Sequence, residues 1–322
     1  MVEPARDGVR LPAYRDLPLV EGGARSAWHL FGAEDSLGLM NLLTAGRIVD
    51  AVRLVRRGAV FPLDVRSDYL HPALFGRGAP RRTTFELRGG VALDDVHDNV
   101  YPQAGSQWDA IGHVAFAPDR FYNGRTLNEV RSGALTIDHW AARGIVARTV
   151  VLDLAEVVDA RGGPGASVSL GVTDLDEALR AARIEVHTGD VLLLHTGFLQ
   201  WYGDQDAATR ARMSRRDLLT APGLEHSEEM AEYLWDLHVP AVVTDGPAVE
   251  VWPPDERPEA WPFGFLHQIL LGQFGMGLGE LWWLYDLVED CRRTGSYDAL
   301  LISAPMNTPG GLGSPANALA IR

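Results

Sequence analysis

Cysteine is almost missing from this 322-residue chain. Cys291 stands alone, so no intrachain disulfide can form and no cluster of thiolates can hold a metal. A reducing compartment, the cytoplasm, is the expected setting. No stretch reaches the roughly 18 apolar residues of a membrane-crossing helix. Met1 to Pro18 carries Arg6, Arg10 and Arg15 among acids and prolines, where a secretory signal would need an apolar run. Positive charge is also scarce: 29 Lys and Arg face 43 Asp and Glu, for a net charge of −14. That balance speaks against nucleic acid or an anionic membrane surface as the main partner and favours solubility, without pointing to any chemistry. There is no internal repeat and no low-complexity linker. Neither a Gly-x-Ser-x-Gly nucleophile elbow nor a Walker loop occurs, and Gly310-Gly311-Leu312-Gly313 lacks the Lys-Ser/Thr that phosphate cradling requires.

What is present reads as α/β. An irregular Pro- and Arg-rich arm is expected over residues 1–25, followed by one domain over 26–322. Thr44 can cap a helix running through Ile48, Val52 and Val55 to Gly58. Residues 146–154, 189–197 and 241–246 are near-continuous apolar runs of the kind that form strands buried on both faces. Helices are expected at 137–143, from Thr173 or Asp174 onward, and at 227–237. A last strand is expected at 299–304.

The densest group of ligand-type side chains lies in Gln103-Ala104-Gly105-Ser106-Gln107-Trp108-Asp109-Ala110-Ile111-Gly112-His113. Pro102 and the glycines at 105 and 112 disfavour a helix. An extended strand turning into a loop would put Gln103, Gln107, Asp109 and His113 on one side. Asp109, flanked by Trp108 and Ala110-Ile111, must be paired or metal-bound if it is buried, because an unpaired buried charge is costly. His267 and Glu280 sit in an otherwise apolar stretch where Glu280 is the only acid between Glu259 and Asp286.

These residues resemble the metal-dependent cyclase-like hydrolases that include bacterial kynurenine formamidase and isatin hydrolase. The likeness covers most of the chain. It is carried by Trp28-His-Leu-Phe-Gly-Ala-Glu-Asp-Ser-Leu-Gly-Leu-Met-Asn41, the strand ending His195-Thr196-Gly197, the strand end Thr244-Asp245 and the His267 to Glu280 pair. Residues 103–113 fall where that family carries His-x-Gly-Thr-His-x-Asp-x-x-x-His, and Ser106-Gln107-Trp108-Asp109 resembles a branch within it. The resemblance implies a swivelling β/β/α fold, a mixed sheet closing toward a barrel with helices outside. It also implies Asp109 as the carboxylate that can bridge two metals, His267 and Glu280 as further metal ligands, His113 as the proton-transfer group, and a homodimer or homotetramer. Gln103 and Gln107 stand where the family has histidine ligands, and an amide oxygen suits a harder cation than an imidazole does. A divalent metal, Mn²⁺ or Zn²⁺, held by Asp109, His267 and Glu280 with help from Gln103 and Gln107, is the expectation.

The activity implied is hydrolysis of a small cyclic or N-acyl amide, or of a lactone. Two other readings use the same residues: a cyclase or dehydratase working by acid–base chemistry without tightly bound metal, and a non-catalytic relative that keeps the pocket.

Overall fold

The computed structural model describes residues 11–322. Among them thirteen strands follow in chain order: β1 Val60–Pro62, β2 Arg81–Leu87, β3 Ala92–Asp98, β4 Gln107–Asp109, β5 Ile145–Asp153, β6 Ser169–Leu170 and β7 Val191–His195. Then come β8 Gly223–Leu224, β9 Ala241–Thr244, β10 Gly277–Glu280, β11 Asp298–Ser303, β12 Gly313–Pro315 and β13 Ala318–Ile321. Nine of these build one mixed sheet, in the order β1-β13-β11-β5-β7-β9-β10-β4-β12, that curls into a half-barrel with helices packed on it. This is the expected cyclase-like architecture.

The sheet centre follows directly from the apolar runs. β5, β7, β9 and β10 are parallel neighbours, and parallel strands must be covered on both faces. Leu152, Leu194 and Val242 therefore enter one core with Leu175 and Met230 from the helices Val172–Ala182 and Glu228–Asp236. Val151, Leu193 and Val243 enter the other with Trp140 and Leu287, from Ile137–Arg143 and Tyr285–Thr294.

Local chemistry sets the ends. Thr44 caps its helix by accepting the Arg47 N–H, and the helix stops at Val52, short of the expected Val55. The helix expected to start at Thr173 or Asp174 begins at Val172, because the Asp174 carboxylate reaches back to the Gly171 N–H. The run at 299–304 is not the last strand: β12 and β13 follow, and Gly313 opens β12.

Part of the arm expected at 1–25, residues 1–10, lies outside the described residues. From residue 11 on the chain is anchored. Leu11, Tyr14 and Leu17 are buried, and Tyr14 donates to Asp236 through its N–H and to Glu228 through its hydroxyl. No helix among the described residues is long and apolar enough to cross a membrane.

One element stands apart. β2 and β3 form a hairpin, and every residue from 79 to 101 is exposed. Thr83, Phe85 and Leu87 face the same way as their partners Val96, Asp94 and Ala92, so one face of the hairpin is largely apolar.

Candidate metal centre

The site is built on β4, which is only three residues long. The expected strand over 103–113 is broken on both sides, by a 3₁₀ turn at Pro102–Ala104 and another at Ile111–His113. Alternation on β4 sends Trp108 one way and Gln107 and Asp109 the other. Trp108 is fully buried edge-on between Trp140 and Trp282, and its indole N–H donates to Ser303. That anchoring fixes the opposite face. β4 pairs antiparallel with β10 so that Gln107 lies across from Glu280. One residue before Glu280, Gly279 lies across from Trp108 against Val243 and Trp282, where an added Cβ would sit 2.8 Å from a Val243 methyl.

His267, on the short helix Leu266–Leu270, enters the same space. Its Nε2 lies 3.1 Å from Glu280 Oε1 and 3.8 Å from Asp109 Oδ2. The ligand atoms of Asp109, His267 and Glu280 all fall within 4.8 Å of one another, and all three residues are buried. On the other side of the ring, Nδ1–H donates to both oxygens of Glu250, each at 2.8 Å, and the Phe265 ring stacks on the imidazole with centroids 4.7 Å apart. A carboxylate on Nδ1 fixes the tautomer that presents the Nε2 lone pair inward, the usual way a metal-binding histidine is oriented.

Three carboxylates, Asp109, Glu250 and Glu280, thus surround one imidazole. Burial opposes charge on His267, but Glu250, Asp109 and Glu280 together hold its pKa well above the ordinary histidine value. Glu280 is pushed up to about 7 by burial and then by Asp109. Asp109 is opposed by burial too, yet His113, His267 and Arg77 keep its pKa below the usual carboxylate value. Such a site needs positive charge at its centre, supplied by a proton or a cation.

The donor set fits a metal ion. Both oxygens of Asp109, Glu280 Oε1 and Gln107 Oε1 are buried with no hydrogen-bond partner among the described residues, and orphaned buried oxygens facing each other are what a cation would satisfy. Gln107 donates its amide N–H to Glu280 Oε2 at 2.6 Å. That bond orients Glu280 and leaves the amide oxygen available. Gln103 behaves differently: it sits in the 3₁₀ turn with its side-chain amide against Gly313, and its backbone carbonyl accepts from Arg77. His113 Nε2 is 3.7 Å from Asp109 Oδ1, and its side chain is 28% exposed, so it stands between the buried cluster and a cavity of about 660 Å³ that also touches Arg77, Gln103 and Gly310–Gly313. Burial lowers the His113 pKa against the pull of Asp109.

Two residues at this site are absent from the sequence reading. Glu250 carries the same signal as Glu280, a lone acid in an apolar run, Pro247-Ala248-Val249-Glu250-Val251-Trp252. Arg77 has no local signal at all, because only the packing of distant segments brings it to the cavity.

The family described as "Putative cyclase" matches residues 57–251. A crystal structure described as a novel cyclase is similar over 92% of this chain and 99% of its own, with 27% identity and a TM-score of 0.80. Isatin hydrolase A from Ralstonia solanacearum is similar in fold at 18% identity, over 84% of this chain and 94% of its own, with a TM-score of 0.60. Isatin hydrolase A from Labrenzia aggregata, bound to benzyl benzoate, is similar at 17% identity, over 85% of this chain and 97% of its own, with a TM-score of 0.59. No curated protein matches the sequence.

Proposed function

The chain belongs to the cyclase family, and from that premise we propose that it is a metal-dependent hydrolase of a small cyclic or N-acyl amide, or of a lactone. The observation that carries the reading is the convergence of Asp109, His267 and Glu280, with four buried oxygens lacking hydrogen-bond partners among the described residues. Similarity in fold to isatin hydrolases supports it.

Asp109, His267 and Glu280 would hold the cation, with the Gln107 amide oxygen as a further donor. A set dominated by oxygen suits Mn²⁺ better than Zn²⁺. When bound, the ion supplies Lewis acidity for the scissile carbonyl and for the attacking water. His113 is the proton carrier: its lowered pKa leaves the imidazole neutral near pH 7, able to take a proton from the attacking water and return it to the departing nitrogen or oxygen. Glu250 and Gln107 touch no substrate; they orient His267 and Glu280.

A homodimer or homotetramer belongs to the same reading. An isolated two-stranded hairpin is marginal in water, and the 81–98 hairpin exposes Phe85, Leu87 and Val96 on one face, a face that a second copy would cover. A cytoplasmic setting is consistent with the single cysteine, which is buried.

The test is metal content and turnover together. Protein purified without chelator and supplied with Mn²⁺ should carry about one equivalent of metal. It should hydrolyse at least one member of a panel of formanilides, isatin-like lactams and lactones, losing turnover to chelation and regaining it with Mn²⁺. Less than about a tenth of an equivalent, after Mn²⁺ or Zn²⁺ supplementation, would overturn the metal-dependent reading. Turnover that survives exhaustive chelation would favour acid–base chemistry by His113 and Asp109 instead.

A further inference from the structure

We infer that Arg77 binds an anionic group of the substrate, so that the compound turned over has an apolar body carrying a carboxylate. The inference rests on the reading of Asp109, His267 and Glu280 as the reaction centre, and it names the substrate class of that site.

Arg77 lines the same cavity as His113, and among the described residues no acid lines that cavity with them. The other walls are apolar or small, among them Val100, Met306, Leu312 and Pro315. Its guanidinium has no carboxylate of the described residues in ion-pair contact, whereas Arg125, Arg148 and Arg322, also at least half-buried, each meet one or more. Arg143 and Arg210 likewise lack an acid partner among the described residues, but they donate to backbone carbonyls and do not line this cavity. The chain contains no lysine, so every side-chain cation apart from histidine is a guanidinium.

The position of Arg77 is built, not incidental. Its guanidinium lies over the Phe75 ring at 4.8 Å. Phe75 meets Trp252 edge-on at 5.0 Å, and the Arg216 guanidinium lies over the Trp252 ring at 5.1 Å. One Nη donates to the Gln103 carbonyl. These contacts fix the plane of the fork but consume only one of its N–H groups; Nε and the second Nη have no hydrogen-bond partner among the described residues. A planar, preorganised fork with free donors matches a carboxylate in bidentate geometry. Burial lowers the Arg77 pKa, while Glu280 and Asp109 raise it again, which places the guanidinium within electrostatic reach of the centre. A substrate held at Arg77 by its carboxylate would extend its reactive carbonyl past His113 toward the buried cluster.

The probes are benzoate and the neutral isostere benzamide, titrated calorimetrically into chelator-treated protein so that carboxylate binding to a metal does not contribute. Wild-type protein is expected to bind benzoate roughly tenfold or more tightly than benzamide. Arg77→Gln should abolish that preference while changing benzamide affinity by less than about twofold, and Arg77→Lys should keep part of it. Equal affinities in wild-type protein, a comparison that needs no variant, would overturn the inference. So would an Arg77→Gln protein that loses both probes alike, or one that keeps the benzoate preference and is slowed only in turnover. Mn²⁺ titration in parallel separates the two readings. Mn²⁺ bound at the centre with no benzoate preference defeats this inference alone, and a benzoate preference without Mn²⁺ binding defeats the proposed hydrolase alone.

Discussion

Glu250 offers the sharpest perturbation of the centre, because it is completely buried and both of its oxygens lie 2.8 Å from His267 Nδ1. In Glu250→Gln the side-chain oxygen can still accept from Nδ1–H, so shape and tautomer survive while the negative charge is lost. A hydrogen bond to a charged group contributes about 1.5–3 kcal/mol and a neutral one about 1 kcal/mol. The difference, about 1–2 kcal/mol, corresponds to roughly a tenfold loss of metal affinity. Glu250→Ala also removes the acceptor that selects the tautomer, and loss of such an outer partner weakens metal binding by up to about 100-fold. Calorimetric titration of Mn²⁺ into wild type, Glu250→Gln and Glu250→Ala should therefore give a graded series, with one site in each protein. If Glu250→Gln binds Mn²⁺ within about twofold of wild type, the carboxylate does not act through His267 and the account of the centre is wrong.

The remaining predictions use other parts of the molecule. His113→Asn should leave Mn²⁺ affinity nearly unchanged and lower kcat by about 10²–10⁴-fold; a parallel loss of metal would make His113 a ligand instead of a proton carrier. In chelator-treated protein burial, and then Asp109, push the Glu280 pKa up to about 7 from the ordinary glutamate value of 4.5. Folding is therefore penalised as pH rises through about 4.5, with the penalty complete above about 7. The thermal midpoint should fall across that window in wild type and much less in Glu280→Gln, and equal slopes would contradict the assignment. Far from the site, buried Asp290 receives Arg57, Arg293 and Arg322. Burial works against its charge, but the arginines prevail and hold its pKa below the usual value, so the contribution is present above about pH 4 and lost in acid. Asp290→Asn should cost about 3 kcal/mol at neutral pH in denaturant unfolding, and a cost below about 1 kcal/mol would show that the cluster contributes little. Phe85→Asp with Leu87→Asp should reduce the mass seen by light scattering to that of one chain; an unchanged oligomer would remove the hairpin from the interface.

Much of the sheet was legible in the chain, because a strand buried on both faces has to be apolar throughout. β5, β7 and β9 appear where the β-branched runs predict them, within a residue or two at either end. The helix at 137–143 and the cap at Thr44 were equally local matters. The hairpin was only half visible: β2 alternates, but β3 carries Asp94, Asp95 and Asp98 and reads as loop until its pairing is seen. β12 is short and begins with glycine, which masks it in the same way.

Asp109, His267 and Glu280 stood out individually because a charge or imidazole set in an apolar stretch must be compensated if it is buried, and this much the amino-acid order determined alone. Their meeting did not follow from it. Asp109 and Glu280 are 171 positions apart in the chain and become neighbours only because β4 and β10 pair antiparallel in one particular register. The sheet order likewise decided that Gln107 grips Glu280 while Gln103 turns toward Gly313, and that Arg77 faces the cavity with Nε and one Nη unpartnered among the described residues. Burial constrains each residue through its immediate neighbours, whereas a site depends on distances across the sheet, and those exist only once the strands have chosen their partners.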